Sequence, residues 1–295
     1  MMPLTSEPQL NIFDQSELSE RALLDQLLDE SRLYRYSTDY LELLKFISRQ
    51  RNFAPFNAML LQIQKPGLRF AASAKDWHKR FNRDIKPQAR PLIILWPFGP
   101  VALVYDLLDT EGEDLPDEVF AFRVGGTEEV YSVEQFSRKL DKKQIALNFM
   151  DSGDNSAGSV QRLECKTEPG KKIPVCSYRI DINKNHPTNV QFCTLCHELA
   201  HIYLGHLGLD KLSGADRSRF KEAQQEIEAE SVAYLICQRN DIKPKSQSYL
   251  NQFVTSDTTT QNLDLYRIMK AAGQIESLLG LNSKVLTSKY KGFFY

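Results

Sequence analysis

Cys196-His197-Glu198-Leu199-Ala200-His201 places two imidazoles four residues apart, with a carboxylate beside the first. In an α-helix, positions four apart stand on one face about one turn from each other, so His197 and His201 can grip a single ion. Glu198 then points to the rim of that site, where it can take a proton from water activated there. Phe192, Leu195, Leu199 and Ile202 recur at helical spacing. Pro187, Thr188 and Asn189 ahead of them suit a helix start. The pattern points to a zinc hydrolase.

A catalytic zinc usually takes three protein ligands and keeps one position for water. Downstream, Gln225-Glu226-Ile227-Glu228-Ala229-Glu230-Ser231-Val232-Ala233-Tyr234-Leu235-Ile236-Cys237 reads as a second amphipathic helix with three acids. At about 100° per residue, Glu228 falls between Leu235 and Val232 inside the apolar stripe, and Glu226 and Glu230 fall on the far side. A carboxylate among core residues needs a partner, because burying it alone is costly. Glu228 is therefore the expected third ligand. His206 follows Gly205 too early to extend the motif to the longer three-histidine form, and reads as a helix-end residue, with a role in supporting the metal ligands left open. Cys193-Thr194-Leu195-Cys196-His197 matches a haem attachment motif literally, but Met1-Met2-Pro3-Leu4-Thr5-Ser6-Glu7 lacks the basic head and apolar core of an export signal.

The 295 residues, 42% of them hydrophobic, suffice for a sizeable core in one or two domains. No apolar run approaches the roughly 18 residues of a membrane span. Five cysteines, Cys165, Cys176, Cys193, Cys196 and Cys237, are odd in number and unpatterned, which fits reduced thiols in a cytoplasmic chain.

The net charge of −1 hides blocks of opposite sign. Residues 1–38 are acidic, with Glu17, Glu20, Asp25, Asp29 and Glu30 on a leucine-bearing helix. Between Lys45 and Pro100, eleven Lys or Arg residues face only Asp76 and Asp84. That block interleaves cations with rings, notably Arg49, Arg51, Arg69, Trp77, Lys79, Arg80 and Arg83. Positive charge beside aromatic rings is what a single nucleic-acid strand needs, since phosphates are neutralised while bases stack. The opposing expectation is that most of the rings are core and the cations merely solvate its outside.

Asp39 to Gln64 reads as a helix interrupted near Pro55, Asp76 to Phe81 as a short helix, and Pro91 to Pro97 and Val101 to Leu107 as strands. The acidic stretch from Asp109 to Pro116 reads as a connector between domains. Val175 to Ile182 alternates as a strand of the kind that lies beside the motif helix and holds substrate by backbone pairing. Tyr178 on it, or Tyr203, could stabilise an oxyanion. Tyr249 to Val254 and Leu263 to Leu279 read as closing helices.

His197 to His206, together with Glu226 to Tyr234, resembles the ImmA/IrrE group of zinc peptidases, in the branch joined to ArdC-type antirestriction domains. Asn57-Ala58-Met59-Leu60-Leu61, Gln64-Lys65-Pro66, Trp77, Arg83, Pro97, Tyr105-Asp106 and Asp109-Thr110 are similar to the ArdC-like front domain. Ser248-Tyr249-Leu250 and Arg267 to Ala272 are similar to that branch's closing helices. The chain departs from the branch at Asn82-Arg83 and Lys86-Pro87-Gln88, where a Gly-Arg pair and a later glycine are usual.

The resemblance implies an α+β chain of three segments. Residues 1–38 form an acidic tail, residues 39–115 an ArdC-like single-stranded-DNA-binding domain, and residues 116–295 a mainly helical, zincin-like peptidase domain with a short β-sheet. The expected activity is zinc-dependent cleavage of a protein or peptide, with Zn²⁺ on His197, His201 and Glu228 and Glu198 as base. The alternative is a strand-binding antirestriction protein of a mobile element whose zinc only holds the fold.

Overall fold

The computed structural model describes residues 37–96, 99–115, 131–153, 156–242 and 263–281. The acidic N-terminal helix expected within residues 1–38, apart from its last two residues, and the helix expected over Tyr249 to Val254 lie outside the described residues.

The front of the chain runs α1 (Ser37–Arg49), α2 (Pro55–Gln64), β1 (Ala71–Ala72), α3 (Ala74–Phe81), β2 (Arg83–Ile85), β3 (Leu92–Trp96), β4 (Gly99–Asp106) and β5 (Thr110–Gly112). The break between α1 and α2 falls at Pro55, whose missing N–H costs nothing in a first helical turn. α2 guards one edge of β3 with its side-chain amides. Asn57 exchanges 3.0 Å hydrogen bonds with both backbone groups of Leu95, and Gln64 exchanges 2.8 Å bonds with those of Ile93. The two amides thus take the place of a missing neighbour strand.

α3 starts at Ser73, whose Oγ accepts from the Asp76 N–H. It ends at Asn82 with φ 50°. Asparagine tolerates this left-handed turn, so the chain keeps there a conformation for which glycine is the usual choice. The stretch read as a free connector includes a strand, since β5 pairs antiparallel with β2.

The back contains α4 (Ser137–Asp141), β6 (Ile145–Met150), β7 (Gly158–Lys166), β8 (Val175–Asn183), α5 (Thr188–Leu204), α6 (Glu222–Arg239) and α7 (Leu265–Leu279). β8 lies between β6, parallel to it, and β7, antiparallel to it. The strand expected at Val175 to Ile182 to hold substrate by backbone pairing is β8, and it is already paired on both sides; among the described residues β7 is an edge. Cys165 and Cys176, expected as thiols, form a cross-strand disulfide between β7 and β8. Cys193, Cys196 and Cys237 remain thiols at the contact of α5 with α6. The fold is α+β, and no helix among the described residues is long and apolar enough to cross a membrane.

One core spans front and back. Tyr40, Leu43, Leu44 and Ile47 of α1 pack in the same cluster as Leu195 and Leu199 of α5 and Val232, Leu235 and Ile236 of α6. Arg239, 2% exposed, stitches the two regions together by donating to the carbonyls of Ile47, Gln50 and Phe53 and to Glu276. A smaller cluster of Phe70, Ala72, Trp77 and Phe81 belongs to the front segment alone.

Candidate metal centre

α5 and α6 pack against each other and supply every donor of the site. α5 begins after Pro187 and stops at Gly205, whose φ of 81° turns the chain out of the helix. Its His197 and His201 project on one face, as their spacing requires. Facing them are Glu226 and Glu230 of α6, which repeat the four-residue interval.

The His197 and His201 Nε2 atoms are 3.1 Å apart. A Glu226 carboxylate oxygen lies 3.3 Å from the first, and its other oxygen 3.5 Å from the second. The three residues form the cluster able to hold a metal ion among the described residues. Two donors each about 2.1 Å from a shared tetrahedral ion lie about 3.4 Å apart, so these separations suit donors to one ion. Two imidazoles and one carboxylate fit a divalent cation. Glu230 sits 3.1 Å from His197 Nδ1, where it can accept the proton on that nitrogen and hold the ring's orientation.

The structure does not bring Glu228 to this cluster, contrary to the expectation that made it the third donor. Glu228 is 0% exposed, as its place in the apolar stripe required, and its partners are protein side chains. Arg217 lies 2.7 Å from each of its oxygens, and His206 Nε2 lies 3.2 Å from Oε2. Gln224 and the Asp264 N–H also reach Oε1. The carboxylate's lone pairs are already taken. The acids that stand at the cluster are Glu226 and Glu230, and their matching interval to His197 and His201 was the signal that could have found them. The stripe could not discriminate, because α6 is buried on nearly every side from Ile227 to Cys237.

Glu198 is 8% exposed, and among the described residues nothing hydrogen-bonds its carboxylate. Burial pushes it up to about 7, with His197 opposing the rise and Glu226 adding to it. Burial disfavours a charged His197, yet hydrogen bonds to Glu226 and Glu230 outweigh it and push the ring up to about 10. Burial, and then the neighbouring imidazoles of His197 and His206, push His201 down to about 3. The hydrogen bond to His197 holds Glu226 below the usual carboxylate range against the effect of burial. Two imidazoles and two carboxylates this close together suit a cation, which would take the place of the proton His197 holds toward Glu226.

Residues 142–247 match the Peptidase_M78 family, described as the IrrE N-terminal-like domain. That span contains both helices of the centre. Two solved structures are similar across most of the chain, both of antirestriction ArdC protein from plasmid R388. The Mn(II)-bound form has 14% identity and a TM-score of 0.38, covering 78% of this chain and 85% of the other. The metal-free form has 16% identity and the same TM-score, covering 80% and 86%. Likeness at that level carries no function from one chain to the other. No curated protein matches this sequence.

The other expected site residues fall elsewhere. Tyr203 stands roughly 200° round the helix from His201, and Tyr178 is buried on β8. Burial and then Asp210 push the Tyr203 hydroxyl up to about 12 and raise that of Tyr178 as well. Asp210 is thus a nearby charge felt by both phenols.

In the front segment, Trp77 is 0% exposed and donates to the Tyr105 carbonyl, so its faces are closed to a base. Arg83 is buried and donates to the carbonyls of Thr110 and Gly112 and to the Thr110 hydroxyl. Arg51 pairs with Asp241, and Arg80 with Asp76. Arg49, Arg69 and Lys79 keep exposed side chains.

Proposed function

We propose that this chain is a metal-dependent peptidase whose cation, zinc by preference, is held by His197, His201 and Glu226, with Glu198 as the general base. The observation that carries this reading is a nearly buried carboxylate with no hydrogen-bonding partner among the described residues, beside three donors at coordination spacing. An acid left so costs stability unless it is kept for a reacting proton. A divalent cation bound here would supply Lewis-acid polarisation of a carbonyl and a more acidic water. Glu198 takes the proton of the attacking water and returns it to the leaving amine. Glu230 holds the His197 ring with Nε2 turned into the site. Gly158 lets β7 lie against the motif helix, since a Cβ there would meet Thr194 Cγ2 at 2.5 Å. The open edge for an extended peptide is then β7, not β8.

The test is Glu198→Gln beside wild type, each loaded with zinc or with manganese and incubated with a denatured proteome. New peptide N-termini would be counted by mass spectrometry, with a chelator control. Glu198→Gln should retain one metal per chain and lose about 10²- to 10⁴-fold in cleavage. Equal cleavage by both proteins removes Glu198 from the chemistry. A loaded wild type that cleaves nothing favours the other reading, in which the cation serves the fold and the front segment binds single-stranded DNA through Arg49, Arg69 and Lys79.

A further inference from the structure

Behind the donor cluster runs a second line of polar groups that the chemistry above does not use. His201 Nδ1 lies 3.0 Å from His206 Nδ1, and His206 Nε2 lies 3.2 Å from Glu228 Oε2. Arg217 closes the line, with Nη2 donating to Glu228 Oε1 and Nη1 lying 2.7 Å from Oε2 as an ion pair. The side chains of His206, Glu228 and Arg217 are 1%, 0% and 6% exposed.

The loop that delivers two of these groups is built for close approach. Gly205 has a φ of +81°, and a Cβ on it would stand 2.5 Å from the Ala215 carbonyl oxygen. The Arg217 N–H bonds the Gly205 carbonyl at 2.9 Å, so the loop returns to its own start. His206 and Arg217 are thereby set on either side of Glu228.

The direction of the hydrogen bonds follows from what each group can do. A guanidinium only donates and a carboxylate only accepts. His206 Nε2 faces that carboxylate and donates its proton to it. A cation held on His201 Nε2 leaves that ring's proton on Nδ1, 3.0 Å from His206 Nδ1, which accepts it. The His201 Nε2 lone pair is thus left free toward His197 and Glu226. A neutral imidazole in water carries its proton mainly on Nε2, the opposite arrangement, which would place a hydrogen where a cation must bind.

We propose that His206, Glu228 and Arg217 are positioning residues that lock His201 in the Nδ1–H form and so preorganise the metal centre. The inference rests on the metal-binding reading above but not on peptidase activity. Glu228 then acts on the cation site from behind, through the hydrogen bonds of His206, instead of touching the ion. Ligating histidines whose outer nitrogen loses its partner bind metal about 10- to 100-fold more weakly.

Two measurements test this. The first is long-range ¹H–¹⁵N NMR of the five histidines in the metal-free, full-length wild type. His201 should show its proton on Nδ1 and His206 on Nε2. A His201 protonated on Nε2 overturns the proposal, whether or not the protein binds metal. The second is zinc affinity by chelator competition. His206→Phe, which cannot accept the His201 proton, should bind about 10- to 100-fold more weakly, still at one ion per chain. His206→Gln, whose amide oxygen can accept it, should recover most of that loss. Wild-type affinity in His206→Phe, or an equal loss in both variants, would contradict the relay. A wild type that binds no zinc would fail the metal reading alone, and the NMR result would still decide the relay.

Discussion

The basic block of the front and the paired helices of the back both look, by composition, like exposed polar surfaces, and they use their charges in opposite ways. In the front, Arg51, Arg80 and Arg83 are each answered by an acid or by carbonyls, and Trp77 fills a small core. In the back, the metal-ligating atoms of His197, His201 and Glu226 converge on one point, and Glu198 is left without a hydrogen-bonding partner among the described residues. Polar groups satisfied by one another report on folding. Polar groups brought together and left unsatisfied report on a ligand.

The contrast can be broken most forcefully at Arg239, the buried guanidinium between front and back. Arg239→Ala strips three carbonyls and Glu276 of their donor and should cost about 3–5 kcal/mol in denaturant unfolding. A loss under about 1 kcal/mol would mean that front and back do not share the core described here. Trp77→Ala should cost about 3 kcal/mol by leaving a cavity among Phe70, Ala72 and Phe81. If it instead weakens oligonucleotide binding at unchanged stability, the ring is a stacking surface after all. Replacing Cys165 and Cys176 together by serine should cost about 2–3 kcal/mol, read from the shift in unfolding midpoint, because the disulfide closes the hairpin of β7 and β8. Arg49→Ala and Lys79→Ala should leave stability within about 0.5 kcal/mol. Their effect, if the chain binds a strand, is a shallower salt dependence in gel shifts.

Much of the architecture was legible. The period of Phe192, Leu195, Leu199 and Ile202 located α5, Pro187 to Asn189 bracketed its start, the apolar run after Pro91 located β3, and Pro55 marked the break between α1 and α2. Elements such as these are decided by neighbours in sequence. What failed depended on partners far along the chain. A buried Glu228 does need a partner, but that partner is Arg217, which a glycine-closed loop brings back onto the helix. The front block was ambiguous for the same reason, since alternating cations and rings do not say which side of a small α+β unit is inside. The pairing of Cys165 with Cys176 needed the register of two strands, which cysteine spacing alone does not contain.

The claim that the site is a cation centre completed by Glu226 is tested most directly by titrating zinc into wild type and Glu226→Gln against a competing chelator. Wild type should bind one ion per chain. Glu226→Gln should fold as well as wild type and lose more affinity than the roughly 10- to 100-fold expected of the positioning residues. A wild type that takes up no ion, or a Glu226→Gln protein that binds as tightly as wild type, would contradict it.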